Sequence, residues 1–162
     1  MGYVNTKEFI IRLAVAMVIG AAMGVEREFR GKPAGVRTYM LVTEGSALFM
    51  LCGILLAQSL RDWENFSDPG RLASTVVQGI GFIAAGVILG SGRQIHGLTT
   101  AAEIWVAAAI GLLVGAGYEV MAVIAAGLTI LSLIVLLPLE RVLRPKGQAE
   151  SGAAEGPTSP TS

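Results

Sequence analysis

Five apolar stretches, each between 17 and 23 residues long, constrain this chain more than any other feature of its sequence. A helix needs about 20 predominantly apolar residues to cross the hydrocarbon layer of a membrane. A soluble domain spreads its apolar residues along helices as stripes rather than in unbroken blocks. The sequence therefore predicts an all-α integral membrane protein with about five transmembrane helices. The predicted spans cover residues 9–25, 38–60, 72–91, 98–117 and 120–138.

The region after the fifth span has a different composition. Residues 139–146 are rich in charge, and residues 147–162 are mostly Gly, Ala, Ser, Thr and Pro. Such a segment buries too little apolar surface to fold. We therefore predict a five-span membrane domain over residues 1–138 and a short, disordered cytoplasmic tail over residues 139–162.

The positions of lysine and arginine predict how the chain crosses the membrane. With five spans, one side of the membrane receives eight basic residues and the other side receives four. Basic residues are enriched in cytoplasmic loops, so the richer side is expected to be the cytoplasm. The amino terminus is then outside and the carboxyl terminus is cytoplasmic. Tyr39 is expected to lie at the inner interface as an aromatic anchor.

Composition also excludes several classes of function. The chain has 12 basic and 12 acidic residues, so its zero net charge favours no binding to nucleic acid. Its single cysteine, Cys52, and single histidine, His96, lie in different predicted segments, which excludes a catalytic pair of the two. The phosphate-binding motif GxxxxGK is absent from the sequence. We predict a non-enzymatic protein without a resident cofactor.

Small residues recur every four positions in three of the predicted spans. Because lipid is as apolar as leucine, membrane helices associate where small side chains allow their backbones to approach. We predict that these rows pack the helices of the bundle or of a homo-oligomer, and that the fifth span, which lacks such a row, is the most exposed to lipid. The GxxxG pairs are Gly20 with Gly24, Gly86 with Gly90, and Gly111 with Gly115.

The third span is unusually rich in glycine over residues 79–86. Glycine in a helix interior costs about 1 kcal/mol relative to alanine. Close helix packing would compensate for that cost, and so would a broken or re-entrant helix whose carbonyl groups line a cavity. Both interpretations remain open. At the start of this span, Asp68 is expected to cap the helix and Pro69 to occupy its first turn.

Two carboxylates, Glu44 and Glu103, lie within apolar spans, each about 8–9 Å from the cytoplasmic end. A charged residue in a span normally faces a partner or a water-filled cavity. In one interpretation the two carboxylates, with Glu26 as a third, form a site for a hard cation such as magnesium. In the other, they form salt bridges with Arg27 or Arg37, or one of them is protonated and neutral. The polar Gln78 of the third span adds to the cation interpretation.

Four strings of this sequence occur in an order and spacing typical of one protein family. The first is GAAMGVEREFR over residues 20–30, which continues as KPAGVRT over residues 32–38. The others are Asp68-Pro69 with Arg71, then GIGF over residues 79–82, and then GLTTAA over residues 97–102. Over about residues 12–130 the chain resembles the membrane domain of the MgtC/SapB family, in a short form without the carboxyl-terminal soluble domain.

The resemblance implies a bacterial inner-membrane protein linked to growth at low magnesium and, in some pathogens, to virulence. It implies that a larger membrane complex, such as the F-type ATP synthase, or a transporter is the partner within the lipid bilayer. The favoured hypothesis is a modulator of such a complex or of ion homeostasis. The alternative is a small magnesium or proton transporter or channel that uses the intramembrane carboxylates. The matching strings point to these functional residues: Arg27, Arg37, Asp68, Arg71, Thr99 and Thr100.

Overall fold

The computed structural model describes residues 4–59, 69–91 and 94–143, which form five helices and one short hairpin. The predicted all-α fold class is confirmed. The first, second, fourth and fifth helices are long and apolar enough to cross a membrane. The elements are α1 (Thr6–Phe29), α2 (Val36–Ser59), α3 (Pro69–Ala85), β1 (Leu89–Ser91), β2 (Gln94–His96), α4 (Leu98–Gly115) and α5 (Glu119–Leu143).

Local signals in the sequence explain where α1 and α2 begin. The side chain of Asn5 caps α1 by accepting a hydrogen bond of 2.9 Å from the backbone N–H of Glu8. After α1 ends, Gly31 takes a φ of 61°, which glycine adopts without strain. The backbone N–H of Val36 donates to Oε2 of Glu28 over 3.0 Å. A carboxylate at the end of α1 therefore caps the start of α2, where negative charge is favourable.

The third helix is shorter than predicted. It begins at Pro69, as expected from the position of that proline, but it has only 17 residues and ends at Ala85. The amides of Val87 and Ile88 bond back to Ala84 and Ala85 in a closing turn. The expected capping residue, Asp68, lies outside the described residues.

An antiparallel hairpin follows, with Leu89 opposite His96 and Ser91 opposite Gln94. The prediction that Gly86 and Gly90 form a helix-packing pair is therefore wrong, because Gly86 lies in the turn and Gly90 in β1. The physical reason is that β2 supplies hydrogen-bond partners to this backbone, which removes the need for a helix.

Glycine rows hold both α1 and α4 against α2. A Cβ on Gly20 would lie 2.1 Å from Oγ1 of Thr43, and a Cβ on Gly111 would lie 2.3 Å from the Thr43 carbonyl oxygen. One turn further along each helix, Gly24 meets Val36 and Gly115 meets Ala47. The predicted packing through glycine rows is confirmed for these two helices. Helix α3 packs against both α2 and α4.

The first part of α5 presents large side chains outwards. Val120, Met121 and Leu128 are 74%, 58% and 61% exposed, whereas Ala122 and Ala126 are buried. This pattern is that of a helix with most of its surface towards lipid, as predicted from its lack of a small-residue row.

The helix continues to Leu143, past residue 138 where the predicted span ends. Residues up to 130 form one compact unit, and residues 131–143 belong to a second. Most of the predicted tail, residues 144–162, lies outside the described residues.

Candidate functional site

A buried ion pair lies where α1, α2 and α4 meet. It joins Arg27 of α1 to Glu103 of α4, and these residues are 3% and 5% exposed. Tyr39 of α2 and Thr100 of α4 complete the group, which we call the Arg27 cluster. Each of the three helices contributes at least one polar side chain, and each of these four side chains is buried.

Every member of the Arg27 cluster has a partner within it. Nη1 of Arg27 lies 2.9 Å from Oε1 of Glu103, and Nη2 donates to the hydroxyl of Thr100. The hydroxyl of Tyr39 donates to the other carboxylate oxygen of Glu103 over 2.8 Å. The carboxylate is thus held between a guanidinium and a phenol, which is the arrangement that makes a buried charge tolerable.

The two other predicted metal ligands do not join Glu103. Glu26 forms an ion pair with Arg30, one turn along α1. Glu44 comes five positions after Tyr39 on α2, which places it about 140° around the helix from the side chain that contacts Glu103. Glu44 makes no hydrogen bond or ion pair with any described residue.

The described residues contain no group of three His, Cys, Asp or Glu side chains that could hold a metal ion. The structure therefore does not assemble the predicted site of Glu44, Glu103 and Glu26. The physical reason is that helix register and helix rotation both separate the carboxylates. Glu44 follows Thr43, which packs against Gly111, eight positions or about 12 Å further along α4 than Glu103. Of the two interpretations offered for Glu103, the salt bridge to Arg27 is the one that the geometry matches.

The remaining predicted functional residues are dispersed. Thr100 is buried in the Arg27 cluster, whereas Thr99 beside it is exposed. Arg71 and Gln78, both on α3, are also exposed, and Arg37 is exposed at the start of α2. The structure therefore places only Arg27, Glu103 and Thr100 of the predicted set in one cluster.

A second buried arginine lies near the other end of α1. Nη1 of Arg12 donates to the Gly115 carbonyl oxygen over 2.9 Å, and Nη2 contacts the carboxylate of Glu8. Nε of Arg12 is 3.6 Å from Oε1 of Glu119, at the start of α5. We call Arg12, Glu8, Gly115, Gly117 and Glu119 the Arg12 cluster. It lies about 22 Å along α1 from the Arg27 cluster.

Gly117 belongs to the Arg12 cluster because of its backbone. It has a φ of 89°, and a Cβ at this position would lie 2.8 Å from Nη2 of Arg12. Glycine therefore allows both the reversal of the chain between α4 and α5 and the close approach of the guanidinium.

Sequence reasoning missed three of the polar residues that organise the bundle. It assigned Tyr39 to the membrane interface, but Tyr39 is fully buried and bonded to Glu103. It gave Arg12 no polar partner and gave no role to Glu28, which caps α2. One signal was available, since Arg12 and Tyr39 both lie inside apolar spans, where polar groups seek partners.

Comparison with known proteins gives a consistent family assignment. The model of the MgtC family matches residues 13–142. The chain is 46% identical to the "Putative magnesium transporter YhiD" of Escherichia coli (strain K12) over 131 residues, which cover 80% of this chain and 61% of that protein.

Two further relatives are similar at comparable levels. The protein MgtC of Salmonella typhimurium (strain LT2) is 42% identical over 67% of this chain and 44% of its own length. The uncharacterized protein slr0014 of Synechocystis is 41% identical over 82% of this chain and 53% of its own length. The chain thus spans between 44% and 61% of these three relatives. No solved structure matches it.

Proposed function

Because the chain belongs to the MgtC family, we propose that it is a non-enzymatic membrane protein that supports magnesium-linked ion homeostasis by modulating a larger membrane complex. One observation carries this proposal: the carboxylate of Glu103, deep in α4, is already bound by Arg27 and Tyr39. Removing it from that pair to bind a cation would leave a buried arginine uncompensated, which is strongly unfavourable. The Arg27 cluster therefore has a structural role, in which its ion pair and hydrogen bonds connect α1, α2 and α4.

The link to magnesium rests on relatives. One similar protein is named a putative magnesium transporter. For the partner, the family resemblance favours a larger complex such as the F-type ATP synthase, or a transporter. The exposed apolar faces of the described helices, such as that of α5, are suited to contact within the bilayer.

The test combines a growth assay with a flux assay on the same protein. We expect the chain to restore growth at low magnesium to a bacterial strain that lacks its own family member. The purified protein, reconstituted into sealed vesicles, is expected to give no magnesium or proton flux above that of protein-free vesicles. A reproducible flux that Glu103→Gln abolishes would overturn the proposal, provided that the variant elutes from size exclusion like the wild type.

A second candidate function is a small magnesium or proton transporter or channel. It is favoured by Glu44, which is half-buried within α2 and has no polar partner among the described residues. Under this alternative, Glu44→Gln abolishes both flux and growth rescue. Under the modulator proposal, Glu44→Gln leaves growth rescue unchanged, because the residue holds no contact that maintains the bundle.

We further propose that the protein lies in the bacterial inner membrane, with its amino terminus outside and its carboxyl terminus in the cytoplasm. The supporting observation is the distribution of basic residues, eight on one side and four on the other. A tag fused after Ser162 should react with an impermeant label only in opened cells. Labelling of that tag in intact cells would show that the carboxyl terminus is outside, which is the opposite orientation.

A further inference from the structure

A groove of about 680 Å³ opens between α2 and α3. We call it the α2–α3 groove. Its lining is almost wholly apolar, and it includes Leu41, Phe49 and Ile83, which are 61%, 59% and 48% exposed. The one charged side chain in its lining is Arg37, at the start of α2. The floor is formed by buried residues of both helices, such as Val42 and Ile80.

The groove exists because α2 and α3 do not close on each other as α1 and α4 close on α2. Gly45 of α2 and Gly79 of α3 both line it, and a Cβ added to either would meet no described atom within 4 Å. By contrast, a Cβ on Gly20 or Gly111 would collide with Thr43. Gly45 and Gly79 are therefore not needed for close packing of α2 against α3, and they leave room for another molecule.

The length of the groove indicates what kind of molecule fits. Along α2 its lining runs from Arg37 to Phe49, and 12 helical steps correspond to about 18 Å. The hydrocarbon core of a bilayer is about 30 Å thick, so one leaflet contributes about 15 Å. A transmembrane helix of a partner would cross both leaflets, whereas a lipid acyl chain fills only one. The groove matches the acyl chain, and its volume lies within the range of small-molecule sites, about 300–1,000 Å³.

The charge at the end of the groove indicates which lipid. Arg37 is exposed and makes no hydrogen bond or ion pair with the described residues. A guanidinium binds phosphate oxygens in a bidentate manner, and anionic lipids attract basic side chains at the membrane surface. From these observations we propose that the α2–α3 groove binds one acyl chain of an anionic phospholipid, whose phosphate lies on Arg37. This inference does not depend on the modulator function.

The experiment measures lipid retained by the detergent-purified protein, by native mass spectrometry, after titration with phosphatidylglycerol or phosphatidylcholine. The wild type is expected to retain one phosphatidylglycerol in preference to phosphatidylcholine. Gly79→Leu fills the groove and is expected to reduce retention at least tenfold. Its matched control is Gly127→Leu, which adds the same side chain to another open glycine, on α5, and should retain lipid normally.

The headgroup contact is tested separately. Arg37→Gln is expected to abolish the preference for phosphatidylglycerol while the acyl chain still binds. Lys32→Gln removes the same charge from an exposed loop residue outside the groove lining and should keep the preference.

Three results would overturn the proposal. The first is a wild type without preference for phosphatidylglycerol, and the second is equal retention by Gly79→Leu and Gly127→Leu. The third is a change of oligomeric state in Gly79→Leu with unchanged lipid, which would assign the groove to a second copy of the chain. If Gly79→Leu fails to fold, Gly45→Leu on the opposite wall provides the same test, and Arg37→Gln tests the headgroup independently.

Discussion

The Arg27 and Arg12 clusters each compensate the charge of a buried arginine, but their carboxylates differ in exposure to solvent. Both arginines lie on α1 and are buried; Arg27 contacts one carboxylate, and Arg12 contacts two. The carboxylate facing Arg27 belongs to Glu103, whose side chain is 6% exposed. Those facing Arg12 belong to Glu8 and Glu119, whose side chains are 41% and 37% exposed.

This difference decides how much each arginine contributes to stability. A buried carboxylate that loses its cation stays uncompensated, which costs about 3–5 kcal/mol. An exposed carboxylate in the same position is hydrated, and exposed ion pairs contribute only about 0–1 kcal/mol. The two arginines are similarly buried, but they therefore differ in their contribution to stability, because their partner carboxylates differ in exposure.

The largest expected effect on stability comes from replacing Arg27 and Arg12, one at a time, with an uncharged residue. Arg27→Met should lower the free energy of unfolding by about 3–5 kcal/mol, because Glu103 is left charged and buried. Arg12→Met should cost about 1–2 kcal/mol, mainly through the lost hydrogen bond to the Gly115 carbonyl group. Unfolding of the purified variants in mild detergent measures both.

The double variant Arg27→Met with Glu103→Leu should recover most of the loss, since a well-packed apolar pair can replace a buried ion pair. If Arg27→Met and Arg12→Met lowered the free energy of unfolding equally, the exposure of the partner carboxylates would not distinguish the two clusters.

The phenol in the Arg27 cluster gives the next largest effect. Tyr39→Phe removes a hydrogen bond to a charged, buried acceptor, so we expect a loss of about 1.5–3 kcal/mol in the free energy of unfolding. Tyr118→Phe, at a side chain that is 47% exposed, serves as the control and should change stability by less than about 0.5 kcal/mol. If Tyr39→Phe left the free energy of unfolding unchanged, this would show that Arg27 alone compensates the charge of Glu103.

The backbone of the Arg12 cluster is tested at Gly117. Gly117→Ala should cost about 1–2 kcal/mol, because an L-residue is strained at a φ of 89°. Contact of the new Cβ with the Arg12 guanidinium adds to this cost. Gly127→Ala, in the interior of α5 with open space around it, should leave stability unchanged or raise it. Thermal unfolding of the two variants side by side is the measurement.

The smallest effect is the response of each cluster to salt. Raising ionic strength from about 0.1 M to 1 M shortens the screening length from about 10 Å to 3 Å for charges that face solvent. The cost of Arg12→Gln should therefore fall by about 0.5 kcal/mol at high salt, whereas the cost of Arg27→Gln should stay the same. Parallel salt dependence in both variants would mean that the Arg27 cluster is also hydrated.

Much of the fold was predictable because transmembrane helices satisfy their own backbone hydrogen bonds. Long apolar blocks led directly to α1, α2, α4 and α5, with errors at the ends of only a few residues. The prediction failed at the end of α3, where residues 86–91 are as apolar as the helix before them. Whether they continue the helix depends on pairing with residues 94–96, and hydropathy carries no information about that pairing.

The sequence by itself determined which segments are helices, and it determined that glycine rows on α1 and α4 are packing faces. It also predicted similar depths for Glu44 and Glu103, but the register of α2 against α4 and the rotation of each helix are set only when the helices pack together. Gly111 packs against Thr43, so Glu44 lies about 12 Å further along the bundle than Glu103. Tertiary packing turned Glu103 towards Arg27 and Tyr39 and left Glu44 on another face of α2. The choice between a shared carboxylate site and a buried salt bridge was therefore made by the glycine contacts of α1 and α4 with α2, which set these rotations.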